Sequence, residues 1–401
     1  MRNRAGWKVV LAGTGINLAL GILYAWSIFK TAIEKDLGWD SAKLNDPYAI
    51  CCLVFSFSMI LAGRCQDKIG PRWTATLGGV LVAIGLALVS QSRSYGVWVL
   101  GFGVLVGMGM GFGYSSATPP ALKWFPSSQT GKVAGIVVAG FGLAPLYIAP
   151  WTETLLKTGG LQLATAFYAV FFLVVVCGLA TFLKNPENAQ GLTVVSQDGL
   201  RSSVSPFAML QTREFYLLWW VYFIGAGAGL MVISSMNGMA KKSMGDYAYL
   251  AVIVLAIGNA AGRVVAGVVS DRIGRKATLL IVTLLQAGCM LLSIPVTQQG
   301  HYALLIVLLA TMIGFNYGAN LCLFPAFVKD LYGVQHFGMN YGILFTSWGI
   351  GGFVLSRVQQ MLRASSGDFR SSFMVAAGLL LVGSAISLFL RGSKKPCLAK
   401  T

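Results

Sequence analysis

Acidic residues are scarce. The 401-residue chain has 13 Asp and Glu, and none falls near the middle of an apolar run. Histidine is scarcer still: His301 and His336 stand far apart, so neither a histidine metal motif nor a histidine-based catalytic constellation is visible. No cofactor is expected, and an intramembrane enzyme is disfavoured. Charged residues make up 11% of the chain against 56% hydrophobic ones, which excludes an ordinary soluble domain. The seven cysteines are an odd number, and Cys51, Cys52, Cys177, Cys289 and Cys322 lie inside apolar runs. They read as small core hydrophobes rather than disulfides or a metal site. The net charge of +17 would suit nucleic acid, but Lys and Arg occur singly or in small groups between apolar spans, mostly in alternate loops. That distribution points to a lipid bilayer as partner, not to nucleic acid.

Apolar spans are abundant. Counting them between charged or turn-rich breaks predicts twelve membrane helices, at about 9–29, 48–64, 74–90, 96–118, 132–152 and 163–183, then 215–236, 248–269, 277–296, 302–325, 338–360 and 372–390. The polar stretch KNPENAQGLTVVSQDGLRSSVS separates the sets, so the expected units are a six-helix bundle over 1–184, a cytoplasmic linker over 185–213 and a second bundle over 214–401. The basic start, MRNRAGWK, has the charge of a signal peptide, but its span is long and has no convincing cleavage site; it is expected to stay as a helix. With both termini cytoplasmic, that side receives 19 of the 30 Lys and Arg and the other side 10, the positive-inside sense for a multi-pass protein of the cell membrane.

The two sets echo each other. GRCQDKIGPR from Gly63 and GVVSDRIGRK from Gly267 share Gly, Asp, Ile and Gly at a displacement of 204 residues. GFGYSS from Gly111 and GFNYGA from Gly314 match at 203 and pair Tyr114 with Tyr317. Two echoes at nearly one displacement imply a parallel repeat of six helices.

One charge stands inside a span. Arg263 lies about six residues inward of Val269, roughly 9 Å at helical rise. Arginine at such a depth costs about 2.5 to 3.5 kcal/mol on insertion scales and marks a functional-site candidate, unless its long stem snorkels to the interface or ties helices together. Asn259, four residues earlier, shares its face.

The doubled glycine-aspartate-basic loops, the twelve spans and the central linker resemble the major facilitator superfamily over essentially the whole chain. The fold implied is an all-α integral membrane protein of two six-helix repeats. In that family such loops stabilise one state of an alternating-access cycle, which implies gating roles for Asp67 and Arg72 and for Asp271 and Arg275. A narrower resemblance rests on WFPSSQTGKVAGIVVAGFG from Trp124, LFPAFVKDLYG from Leu323 and NYGILFTSWG from Asn340. These are similar to monocarboxylate transporters and their oxalate-formate exchanger relatives, although Ser-Ser-Gln replaces the usual basic pair before the fifth helix.

That resemblance implies that Arg263 binds a substrate carboxylate, with Asn259 where the transporters carry an aspartate. It assigns Tyr317 and Tyr24 to the tenth-helix and first-helix aromatics. Ile28 replaces a lysine of the transporters, and Trp348 a lysine of the exchangers, so both extra cations are missing. One fixed positive charge with no buried acid matches one carboxylate, and the expected partner is a small organic monoanion. Arg263 offers a planar fork for that carboxylate. Asn259 can orient the guanidinium or reach a hydroxyl or keto oxygen, and Tyr114 and Tyr317 can close the site from opposite sets. Tyr24, Phe141, Phe345 and Trp348 would limit its volume. The expected function is secondary transport of small monocarboxylates such as lactate or pyruvate, with proton coupling implied by analogy. The alternatives are an oxalate/formate anion exchanger and a non-transporting membrane sensor.

Overall fold

The computed structural model describes residues 2–40, 43–125, 129–186, 204–299, 303–333, 336–366 and 368–390, and every regular element among them is helical. Before the linker run α1 (Arg2–Leu20), α2 (Trp26–Leu37), α3 (Asp46–Ile69), α4 (Pro71–Ser90), the single turn α5 (Tyr95–Trp98), α6 (Gly107–Lys123), α7 (Thr130–Leu143) and α8 (Pro145–Ala180). After it come α9 (Pro206–Leu210), α10 (Arg213–Ile233), α11 (Met236–Met244), α12 (Tyr249–Ile273), α13 (Arg275–Gln299), α14 (Ala303–Tyr332), α15 (Phe337–Ser366) and α16 (Arg370–Ser387).

Ten described segments are long and apolar enough to cross a membrane. One of them, Gly131–Ala180, has 50 residues, far more than one crossing needs. It breaks at Gly159 and Gly160, the latter at φ 66°, where the chain turns back. α15 is 30 residues long but diluted by Asn340, Ser347, Arg357, Gln359 and Gln360, which lower its hydropathy. With that break and α15 counted, the order is consistent with twelve crossings.

Two crossings are not plain α-helix. A 3-10 turn, Gly21–Ala25, separates α1 from α2, and a π-helical stretch, Val99–Val106, joins α5 to α6. Part of the expected linker is also ordered. Ser205 and Thr212 cap α9 and α10 by accepting from the amides of Ala208 and Phe215, and the Val204 amide donates to the Tyr332 carbonyl. Residues 187–203 of the linker lie outside the described residues.

Membrane helices gain little from the hydrophobic effect between themselves, so close packing rests on small residues. α12 carries Gly258 and Gly262, and α14 carries Gly314 and Gly318, each pair four apart. A Cβ on any of the four would strike backbone of the opposite helix, at Thr311, Phe315, Leu255 or Asn259. This clamp fixes the helix of Asn259 and Arg263 against the helix of Tyr317. On the other side of α12, Gly135 of α7 lies against the Arg263 carbonyl and Gly131 against that of Gly267. Similarly α3 and α15 pack along their length, Gly63 on Gly338, Met59 on Gly342 and Cys52 on Gly352. The α3–α15 and α7–α12 contacts join helices on opposite sides of the linker.

The repeated loops keep the same backbone. Gly70 at φ 86° and Gly274 at φ 95° end α3 and α12 in a region that side chains avoid, which explains the glycine at both places.

Candidate functional site

α12 runs on past Val269 to Ile273, so Arg263 stands ten residues from its end, about 15 Å of helix. The shallower position expected gives way to a deeper one, and the alternative of a guanidinium turned to the interface gives way to a side chain that is fully buried. Nε donates to Asn259 Oδ1 at 2.9 Å, one terminal nitrogen donates to the Val138 carbonyl of α7, and the other donates to the Tyr24 hydroxyl at 3.1 Å. All three acceptors are neutral. Among the described residues, no carboxylate lies within ion-pair distance of Arg263.

The hydroxyls of Tyr24 and Tyr317 lie 2.8 Å apart, and Trp348 Nε1 donates to Tyr317 at 2.9 Å. Counting protons along this relay is informative. Arg263 and Trp348 donate into it, so whichever phenol donates to the other, one phenolic proton is left without an acceptor. Asn259 Nδ2 is likewise buried with no acceptor. The cluster therefore has a fixed positive charge and more donors than acceptors, the composition that an anion would complete.

The other aromatics expected at the site join the same cluster. Tyr24 meets Phe141 edge-on at 5.1 Å, and Phe141 meets Tyr114 at 5.5 Å. Tyr114 lies 5.7 Å from Phe345, which stacks on Trp348 at 4.9 Å. All eight residues expected at the site are buried and connected. Phe55 was not expected, yet it touches Tyr114, Phe141, Phe345 and Trp348 from α3. Nothing in the run CCLVFSFSMI distinguishes it from its neighbours. Tyr222 and Tyr341 were also not anticipated, and both pack on Phe345. The Val138 carbonyl leaves no mark in a sequence.

The expected gating residues divide. Arg275 is buried and bridges Asp271 at 2.6 Å and Asp330 at 3.2 Å, and also donates to Ser270. The Asp271 carboxylate lies against Gly131 in the first turn of α7, where a helix N-terminus favours negative charge. This meeting of an acid and a helix end joins elements on opposite sides of the linker. Arg72 is not part of a comparable cluster: it is exposed, with its guanidinium 5.6 Å from the Trp73 ring. Pro71, not Arg72, holds the place that Arg275 takes in the repeat, which accounts for the asymmetry. The Asp67 side chain lies outside the description. At the opposite end of the bundle Arg357 of α15 pairs with Asp46 of α3, and Tyr95 donates to the same carboxylate at 2.8 Å.

The Major Facilitator Superfamily model matches residues 10–356, with a second match over 245–399. The chain belongs to that superfamily. Relatives of this facilitator include the MFS-type transporter YhjX of Escherichia coli, 26% identical over 87% of this chain and 86% of that one. The oxalate:formate antiporter of Oxalobacter formigenes is 25% identical over 95% and 90%, and monocarboxylate transporter 13 of Rattus norvegicus is 24% identical over 96% and 89%. Among solved structures, the superfamily transporter FucP in its outward conformation superposes with a TM-score of 0.67 at 15% identity, covering 96% of this chain and 99% of that one. The fold is thus that of a major facilitator.

Proposed function

We propose that this facilitator is a secondary transporter of small monocarboxylates of the lactate or pyruvate class, with the substrate carboxylate on Arg263. The observation that carries the reading is the buried guanidinium whose partners are all neutral, set among donors that have no acceptor. A buried charge without a counter-charge costs several kcal/mol, and a carboxylate arriving from either side would remove that cost. The relatives named for monocarboxylate transport and oxalate:formate exchange agree in kind.

In this reading residues 1–184 and 214–401 are two six-helix bundles that rock about the site between them, with 185–213 joining them in the cytoplasm. The Asp271, Arg275 and Asp330 cluster against α7 closes the cytoplasmic end, and Asp46 with Arg357 closes the outer end. Both termini are cytoplasmic and the protein resides in the cell membrane, from the bias of Lys and Arg. Symport needs a proton carrier, and arginine does not deprotonate. The proton therefore has to travel with the substrate: its carboxyl, with a pKa of about 3.5 in water, is ionised while it rests on Arg263, whose charge lowers that pKa, and takes up a proton only on leaving the guanidinium.

Uptake of labelled lactate into proteoliposomes tests the reading. Accumulation driven by an imposed inward proton gradient is expected; uptake indifferent to the gradient removes symport, and no uptake of any small acid leaves a sensor instead. The similarity to the Oxalobacter antiporter favours one second reading, oxalate/formate exchange. Robust exchange of internal for external oxalate would establish it and refute the single-cation argument.

A further inference from the structure

Far from Arg263, at the end of the bundle where the linker departs, α1 and α8 border an open groove of about 260 Å³ lined by Lys8, Leu11, Ala12, Leu179 and Phe182. Leu11 and Phe182 are 66% and 55% exposed. Further along α1 the two helices touch: Leu179 closes on Gly15, where a Cβ would come within 2.6 Å of it. Toward the chain end they part, so the groove is a wedge, closed at depth and open at the membrane surface. One side chain fixes both walls. Trp124 lies against Gly6 of α1, and its Nε1 donates at 2.9 Å to the carbonyl of Lys184, just past the end of α8. The wedge is therefore built into the fold and does not wait for a ligand to open it.

Positive charge gathers at its mouth. Arg4 and Lys8, four apart on α1, share a face and are exposed, and exposed Lys184 follows Phe182 by two residues. Among the described residues none of the three forms an ion pair. An apolar wedge that ends in uncompensated cations at the limit of a membrane span suits a lipid, with the acyl chain against the wall and a negative headgroup on the bases. A second copy of the chain suits it less, because a symmetric contact would bring another Arg4 and Lys8 to the same mouth. We propose that the α1–α8 groove holds one membrane lipid with an anionic phosphodiester headgroup, its phosphate on Arg4 and Lys8 and an acyl chain along Leu11, Leu179 and Phe182. The site lies wholly within the first set of helices and is independent of what Arg263 binds.

The experiment titrates the purified full-length protein, in neutral detergent, with dioleoyl phosphatidylglycerol or dioleoyl phosphatidylcholine, read by native mass spectrometry and by thermal unfolding. One phosphatidylglycerol should stay on the monomer and raise its unfolding temperature more than phosphatidylcholine does at equal concentration. Arg4→Gln and Lys8→Gln together should weaken phosphatidylglycerol binding about thirtyfold, the effect of two cations near a headgroup, and leave phosphatidylcholine unaffected. Phe182→Ser keeps every cation but strips the wall, and should weaken both lipids by about fivefold. Lys68→Gln removes an exposed cation of α3 outside the groove and should match the wild type. Equal binding of the two lipids overturns the proposal, as does phosphatidylglycerol binding that survives the double variant or falls as far in Lys68→Gln. Glycerol phosphate binding as tightly as the lipid would make this a site for free phosphate, and a lipid-free dimer would give the groove to a second copy; either result also overturns it. Lactate displacement measured on the same variants keeps this test separate from the carboxylate reading.

Discussion

Replacing Arg263 by Gln removes the charge and retains a side chain that can bond Asn259. The size of the effect can be worked from the donors. A guanidinium has five N–H groups, and the hydrogen bonds to Asn259, Val138 and Tyr24 use three, one on each nitrogen. By count, each terminal nitrogen keeps one N–H for an arriving carboxylate. Hydrogen bonds to charged groups contribute about 1.5 to 3 kcal/mol each, so losing both costs at least about 3 kcal/mol, a factor of about a hundred in affinity. Arg263→Lys keeps the charge but not the fork and should lose about tenfold. The assay is displacement of labelled lactate from purified protein, with uptake by proteoliposomes alongside and a monodisperse elution profile as the control for folding. Removal of a buried unpaired charge should leave the unliganded Gln variant at least as heat-stable as the wild type. Gln variant affinity within threefold of wild type, or a Lys variant indistinguishable from wild type, would refute the reasoning.

Other perturbations address the scaffold and the outer end. Gly262→Val drives a branched side chain into the Phe315 carbonyl region and should cost about 3 kcal/mol or more, read as loss of folded protein on size exclusion; an intact, stable variant would show that α12 and α14 need no such approach. Tyr24→Phe removes the acceptor of one guanidinium nitrogen and the partner of Tyr317, and should weaken lactate binding by about fivefold without loss of fold. The Asp46–Arg357 pair is half exposed on the arginine side, so screening limits it to about 1 kcal/mol. Arg357→Gln should therefore speed labelling of buried Cys52, which lies between α3 and α15, by about fivefold, followed by mass spectrometry; an unchanged rate would mean that the pair does not hold the outer end shut.

Long apolar spans and doubled loops make the architecture legible from the sequence, because a bilayer admits few alternatives to bundled helices and because one displacement recurs. That the eight residues expected at the site lie together was legible for a different reason: Arg263 is conspicuous where charge is expensive, and the others are tied to it by resemblance. What was hidden are features set by neighbours across space. Phe55 sits at the centre of the aromatic cluster but looks like any core residue in its own span. The 3-10 turn that presents Tyr24 has no proline or paired glycine to announce it. Gly258, Gly262, Gly314 and Gly318 carry a readable spacing, four residues apart in two spans, but the α12–α14 clamp emerges only from the structure. The end of α12 was set four residues too early, at Val269, because polar Ser270, Asp271 and Arg272 suggest a loop, whereas the glycine that ends the helix is Gly274.

The contrast between the two buried arginines of the second set of helices sharpens the assignment. Arg275 and Arg263 are both almost wholly buried, yet Arg275 has two carboxylates and a hydroxyl, and Arg263 has an amide, a carbonyl and a phenol. Arg275 is already compensated, so an arriving anion would have to displace Asp271 or Asp330 and gains nothing; its role is to hold α12, α13 and α14 together beside α7. Among the described residues Arg263 is compensated only by dipoles, and in the proposed reading a mobile carboxylate supplies what its surroundings withhold. The two substitutions should therefore separate. Arg275→Gln leaves two partly buried acids close together, which should lower the melting temperature and slow transport while lactate affinity stays within about threefold, since the binding fork is untouched. Arg263→Gln should do the reverse, sparing the fold and abolishing affinity. If both variants lost affinity in equal measure with equal loss of stability, the distinction between a structural and a ligand-directed arginine would not hold for this protein.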